Sequence, residues 1–311
     1  MALEEKVAGE VEECSDPHKA LRMDPNQQAW SRNERFMKTK ILHKNDVSLR
    51  LLIEGTNSAF MNTLRRIMLS EVPSMAIDDI VIIENSSITQ DEFLAHRIGL
   101  IPLRTDLDTY NLPEDCSCKS EFGCNLCCVS LALEVEAEDH RTTVYSGDFK
   151  SDNPAIIPVS LKIPIAKLAP EQKIRLEAYA RLGKGKDHAR WQPVSAVAYK
   201  FVPIISVDQN LCDSCGDCVK VCPKNILVKT GNKIEIRNIN NCTLCRDCVH
   251  ACQKDPKAID VTWDKNSFIL NIESTGALTP ERILHEALKI LNGKLTEFLE
   301  KAGKKIEEFK V

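Results

Sequence analysis

The chain has 311 residues, 43% of them hydrophobic and 28% charged, enough for about two or three ordinary domains with their own cores and too apolar for a disordered chain. Its 41 basic and 45 acidic side chains leave a formal charge of −4; no general positive field exists for wrapping nucleic acid, and no independent nucleic-acid binding is expected. No run approaches the roughly 18 apolar residues of a membrane span, and the first 30 residues are too acidic for a signal-peptide core, so a soluble cytoplasmic protein is expected.

Residues 1–36 are charged, poor in apolar side chains and without a period, and read as a disordered extension in which Cys14 and Trp30 are bystanders. Over 47–54, Val47, Leu49, Leu51 and Ile53 are apolar between mostly polar neighbours, the period of a half-buried strand. Gly55 breaks the strand, residues 56–58 supply capping groups, and Phe60, Met61, Leu64, Ile67 and Met68 fall at helical spacing before Pro73 ends the helix. Residues 75–205 read as mainly strands, at 80–83, 129–136, 157–163, 174–180 and 194–202, punctuated by prolines. Gly183-Lys184-Gly185-Lys186 lacks the spacing and the following hydroxyl of a phosphate loop, so no nucleotide site is expected there. The basic run Arg181, Lys184, Lys186, His188 and Arg190 reads either as a solvated loop or as a contact surface for an acidic partner. Near the far end Phe268, Leu270 and Ile272 alternate again, and Thr279-Pro280 opens a helix with the stripe Leu284, Leu288, Leu291, Leu295 and Phe298.

The two strand-plus-helix units can form one split domain from which the middle of the chain loops out. The expected class is therefore α+β, with 37–74 and 263–311 as one domain, 75–205 as a mainly-β insert and 206–262 as a cysteine-rich module. An apolar stripe is left over; either a helix pair from another chain or the middle of this one covers it.

The fourteen cysteines are the chemical excess. Without a secretory signal their spacing reads as metal ligation in a reducing compartment. Cys212-x2-Cys215-x2-Cys218-x3-Cys222 repeats 30 residues later as Cys242-x2-Cys245-x2-Cys248-x3-Cys252. Thiolates suit iron, and three of them two residues apart wrap three corners of a cluster while the fourth reaches across. The expected ligand sets are crossed: Cys212, Cys215, Cys218 and Cys252 for one [4Fe–4S] cluster, Cys242, Cys245, Cys248 and Cys222 for the other, either of which could be lost or become [3Fe–4S]. Structural zinc is the alternative, and it fits tandem runs of this form poorly. With no flavin or dinucleotide motif and nearly balanced charge over 206–262, the clusters read as mainly structural and open to a regulatory role. The rival reading is a ferredoxin-type electron-transfer protein or an oxidoreductase subunit.

The cysteine repeat resembles the bacterial two-cluster ferredoxins, with the apolar stretches 226–228, 234–236 and 259–261 where that module has strands. Gln253 replaces that module's proline and a longer stretch precedes Ile259, so the second half is expected to be looser. Residues 62–77 (NTLRRIMLSEVPSMAI), 91–103 (DEFLAHRIGLIPL) and 182–193 (LGKGKDHARWQP) resemble the D-type subunits of archaeal DNA-directed RNA polymerase. That family is similar to the N-terminal region of the bacterial alpha subunit and to the third-largest subunit of eukaryotic polymerase II, and some of its members carry a ferredoxin-like insertion. The resemblance implies a non-catalytic assembly subunit whose helices, through Phe60, Leu64, Ile67, Met68, Leu284, Leu288, Leu291 and Leu295, pair with the small subunit L. That heterodimer would be the platform for subunits N and P and the large catalytic subunits, which Arg65, Arg66, Lys184, Lys186 and Arg190 would face. Cys116, Cys118, Cys124 and Cys127, with Cys128 adjacent, fall where eukaryotic relatives hold zinc; reduced, unliganded thiols are the alternative. His96 reads as structural, and no catalytic residue is assigned.

Overall fold

The computed structural model describes residues 37–120 and 123–308; the expected extension at 1–36 lies outside the described residues. In chain order the elements are β1 (Lys38–Lys44), β2 (Ser48–Glu54), α1 (Ser58–Ser70), β3 (Pro73–Asn85), α2 (Asp91–Gly99), β4 (Cys128–Glu136), β5 (Thr142–Tyr145), β6 (Lys150–Ser151) and β7 (Pro164–Leu168). There follow β8 (Lys173–Lys184), β9 (Val194–Val207), α3 (Asp217–Lys220), β10 (Leu227–Thr230), β11 (Lys233–Ile236), α4 (Asp247–His250), β12 (Ile259–Ser274) and α5 (Pro280–Glu308). The class is α+β.

Period-2 alternation decides the first sheet. Its antiparallel order is β1-β2-β12-β9, and Phe268, Leu270 and Ile272 of β12 pair with Ile53, Leu51 and Leu49 of β2. All six side chains are buried on one face, where Met61, Leu64, Ile67 and Met68 of α1 and Ile283 and Ala287 of α5 complete the core. The start of α1 is set by Asn57, whose Oδ1 accepts from the Phe60 amide at 2.9 Å.

A second sheet, β3-β8-β4-β6, buries Val129, Leu131, Leu133, Leu176, Ala178 and Ala180 together with Leu94 and Ile98 of α2. It is tied to α1 through the β8–β9 loop: the Lys186 amide donates to Ser70 O at 2.9 Å, and a Cβ at Gly185 would fall 2.2 Å from Leu69 O. Glycine is the residue that permits this approach.

Strands β9 and β12 outrun β2. Their far ends pair as a two-stranded ribbon, Ile259 with Val207 and Val261 with Ile205, and these four side chains join a third core built around the repeated cysteines. The segment 208–258 is the tip of this ribbon.

Several elements depart from the sequence expectation. The strand expected at 157–163 does not form: Pro158 has no N–H to give a ladder, only an isolated bridge to Leu103 is made, and the strand begins instead at Pro164. Val47 lies just outside β2 and is half exposed. β1 was not expected because its sequence is charged and almost wholly exposed, and α2 because nine residues give too few turns for a clear period.

Phe268 is completely buried between β9 and the helices. Replacing it by Ala is expected to cost about 3–5 kcal/mol of unfolding free energy, and Val47→Ala less than about 0.5; urea denaturation of the two variants checks the contrast.

Candidate metal centres and an exposed helix face

Cys116 follows a 3-10 turn at Pro113–Asp115. Cys124 to Cys127 form the turn that enters β4, with the amides of Cys127 and Cys128 both donating to Cys124 O at 2.9 and 2.8 Å. The turn brings the Sγ atoms of Cys116 and Cys124 to 3.7 Å, of Cys118 and Cys127 to 3.7 Å, and of Cys124 and Cys127 to 3.8 Å. All four sulfurs lie within 4.8 Å of one another. A tetrahedron with metal–sulfur bonds of about 2.3 Å has edges of about 3.8 Å, so this donor set could hold a metal ion, and the thiols expected from sequence are the ones gathered. Cys128 is excluded by geometry. It opens β4 opposite Arg181 and hydrogen-bonds to that side chain, which leaves four of the five cysteines as the set that could hold a metal ion.

The backbone around the tetrad is specialised. Gly123 has φ +79°, and a Cβ there would meet the Cys128 Cβ at 2.8 Å and the Cys127 Sγ at 3.3 Å. Burial pushes the Cys127 thiol up to about 12, whereas hydrogen bonding, the Ser120 amide foremost, brings Cys118 down to about 7. A cation would be needed to hold all four as thiolates together.

The two repeated cysteine loops share one backbone conformation. Ser214 and Leu244 have φ 58° and 59°, and Gly216 and Arg246 have φ 89° and 65°; each loop then enters a one-turn helix, α3 or α4. Left-handed residues at these two places curl each loop into a cup. One cavity is lined by Cys212, Cys215, Cys218 and Cys252 with Val207, Ile234 and Ile259. Another is lined by Cys222, Cys242, Cys245 and Cys248 with Ile205, Ile226 and Val261. The fours are those of the crossed sets. Backbone amides reach the sulfurs, Leu244 to Cys242 at 3.4 Å and Ile226 to Cys222 at 3.5 Å, and burial raises the Cys248 thiol to about 11. Soft donors around apolar cups with amide support fit an iron–sulfur group.

The helices divide their apolar side chains unequally. Leu64, Ile67 and Met68 are at most 3% exposed and belong to this chain's own core. Phe60, Leu284 and Leu291 are half-buried against it. Leu288, Leu295, Phe298 and Leu299 are 42, 54, 66 and 68% exposed, an apolar row along the outer part of α5. Leu299 extends the stripe beyond the residues singled out from sequence.

Of the basic residues expected to face large partners, three are occupied within the chain. The Arg190 guanidinium donates to Ile77 O at 3.0 Å and Asp78 O at 3.2 Å, and Lys184 pairs with Glu114. Their neighbour Trp191 packs directly on Gly183, where a Cβ would fall at 2.4 Å. Arg65 is held by Asn62 Oδ1 at 3.0 Å, whereas Arg66 and Lys186 are exposed, as is His96. Among the described residues no helix is long and apolar enough to cross a membrane.

The split sheet, its two helices and the excursions between them are the setting in which comparison with known proteins becomes informative. Residues 50–295 match the RNA polymerase Rpb3/Rpb11 dimerisation domain, which places the chain among the dimerisation subunits of RNA polymerases. DNA-directed RNA polymerase subunit Rpo3 of Archaeoglobus fulgidus is 42% identical over 83% of this chain and 95% of its own length. The Rpo3 of Methanosphaera stadtmanae is 40% identical over 83% and 96%, and that of Pyrobaculum aerophilum 38% identical over 84% and 94%. The chain belongs to this archaeal Rpo3 family, the one that its sequence motifs resemble. It is a non-catalytic assembly subunit of a DNA-directed RNA polymerase, and the electron-carrier reading is not favoured.

Cobalt(II) titration of the protein tests the tetrad: Cys124→Ser is expected to remove one equivalent of tetrahedral cobalt absorption and Cys128→Ser to leave it intact.

Proposed function

We propose that α5, with α1 behind it, is the seam for the polymerase's small subunit L, and that the resulting heterodimer seats subunits N and P and then the two large catalytic subunits. The observation that carries this reading is the wet row Leu288, Leu295, Phe298 and Leu299 on a helix whose earlier turns are buried. Side chains of this size each gain about 1.5–3 kcal/mol on full burial, more than an isolated chain would leave unused. The burial of Leu64, Ile67 and Met68 narrows the seam to α5 and the partly exposed Phe60, with α1 as its support. In this reading 37–74 and 263–311 form the dimerisation domain, 75–205 the insert and 206–262 the iron–sulfur domain.

The same reading puts a [4Fe–4S] cluster in each crossed cysteine set and zinc in the Cys116 tetrad. The support is chemical: eight thiols in two apolar cups, and four at tetrahedral spacing. Cluster binding supplies folding free energy to a ribbon tip whose apolar core is small, so the clusters are mainly structural. Arg66 and Lys186, still exposed, are the basic residues left to meet the large subunits.

Two outcomes test the assignment. Leu295→Asp with Phe298→Asp is expected to abolish co-elution with the small subunit without altering the circular dichroism of the free chain; undiminished co-elution would remove the seam. Replacing Cys212 or Cys242 by Ser is expected to disorder 206–262 and lower recovery of the assembled polymerase while pairing with the small subunit survives, as measured by size-exclusion chromatography of co-expressed subunits.

A further inference from the structure

The back of the first sheet, away from α1 and α5, carries a contact that neither the helix seam nor the cysteine ligands account for. Strand alternation and register place Arg50 of β2, Ile269 of β12 and Lys200 of β9 on this face. Lys200 donates to the carbonyl oxygens of Asn240 at 2.8 Å and of Cys242 at 2.6 Å. Arg50 donates to the same Asn240 oxygen at 2.7 Å and to Asn241 Oδ1 at 3.2 Å. Ile269, with no place in the helix-side core, is nonetheless 2% exposed. Two cations from the sheet therefore grip the three residues that end in the first cysteine of the second loop.

Among the described residues no cation of the first sheet makes such a contact with the other cysteine group. The cations close to it include Lys254, paired with Asp213 at 2.9 Å, and Lys257, bonded to Cys252 O. Both belong to the ribbon tip and move with it. Cations bonded to the backbone of a ligating cysteine orient it and offset the negative charge of a four-thiolate cluster.

We propose that Lys200 and Arg50 are positioning residues for the cluster of Cys222, Cys242, Cys245 and Cys248, tying its loading, and not that of the Cys212 group, to the order of the dimerisation sheet. This rests on the iron–sulfur reading above. Because linkage is reciprocal, loading that cluster stabilises β2 and β9, and loosening the grip loosens the cluster.

The test uses the full chain purified anaerobically, as wild type and as Lys200→Met, Lys200→Arg and Arg50→Met. Iron release to a ferrous chelator, the midpoint potentials from an electron paramagnetic resonance titration, and hydrogen exchange at β2 and β9 are measured. Lys200→Met is expected to release half of the iron about 10- to 100-fold faster, if the affinity lost with such an outer contact appears in the release rate, and to shift one midpoint to more negative potential. Lys200→Arg restores both, and Arg50→Met gives a smaller change of the same sign. Stripping iron from the wild type speeds exchange at β2 and β9. Release and potential unchanged in Lys200→Met, an equal effect on all the iron, or no change in exchange on stripping would each overturn the proposal. Wild-type chain that contains no iron and sulfide sinks the cluster reading itself, which separates the two failures.

Discussion

Everything in this fold depends on the antiparallel pairing of β2 with β12. It joins a strand near the start of the described chain to one near its end, so the whole of residues 55–266 is a closed excursion from a single ladder. Closing so long a loop carries an entropic cost that grows only slowly with length, and the ladder offsets it with the six interlocked side chains that also receive α1 and α5. The second sheet and the cysteine tip both leave from that ladder and return to it, and each is also tied back to it, through Lys186 to Ser70 of α1 and through Lys200 and Arg50 to residues 240–242.

The two excursions are stabilised by different means. The insert buries a broad apolar core between its sheet and α2. The ribbon tip has a smaller apolar core wrapped around its cysteines, and in the proposed reading metal coordination supplements that limited hydrophobic burial. The turn of Cys124 to Cys127 lies between these cases: it enters a well-buried strand and follows a left-handed glycine, and in the proposed reading four sulfurs around a metal complete its order. On that reading, metal chemistry sits where the polypeptide alone has too little to bury.

Much of this was legible beforehand, for physical reasons. Alternation in β2 and β12 and the spacing of α1 are one-sided burial written directly into the residue order, and the cysteine repeat reappears as similar φ angles thirty residues apart. What could not be read was direction. Leu64, Ile67 and Met68 were correctly placed on a helix face, but a period does not say whether that face meets its own sheet or another chain. Lys184 and Arg190 read as a solvated loop or a surface for large partners because their acceptors within the chain, Glu114 and the carbonyls of Ile77 and Asp78, lie far away in sequence. The grip of Lys200 and Arg50 was invisible for the same reason. β1 gave no signal in the sequence because an exposed edge strand protected by lysines has no apolar signature.

The uncovered turns of α5 bear on how such a subunit is made. Bulky hydrocarbon left in water invites any sticky neighbour, so a copy synthesised in excess of its mate is an orphan at risk of clumping or degradation. On the proposed reading, balanced output of the two polypeptides, or their meeting soon after translation, becomes a requirement imposed by a handful of leucines and one phenylalanine.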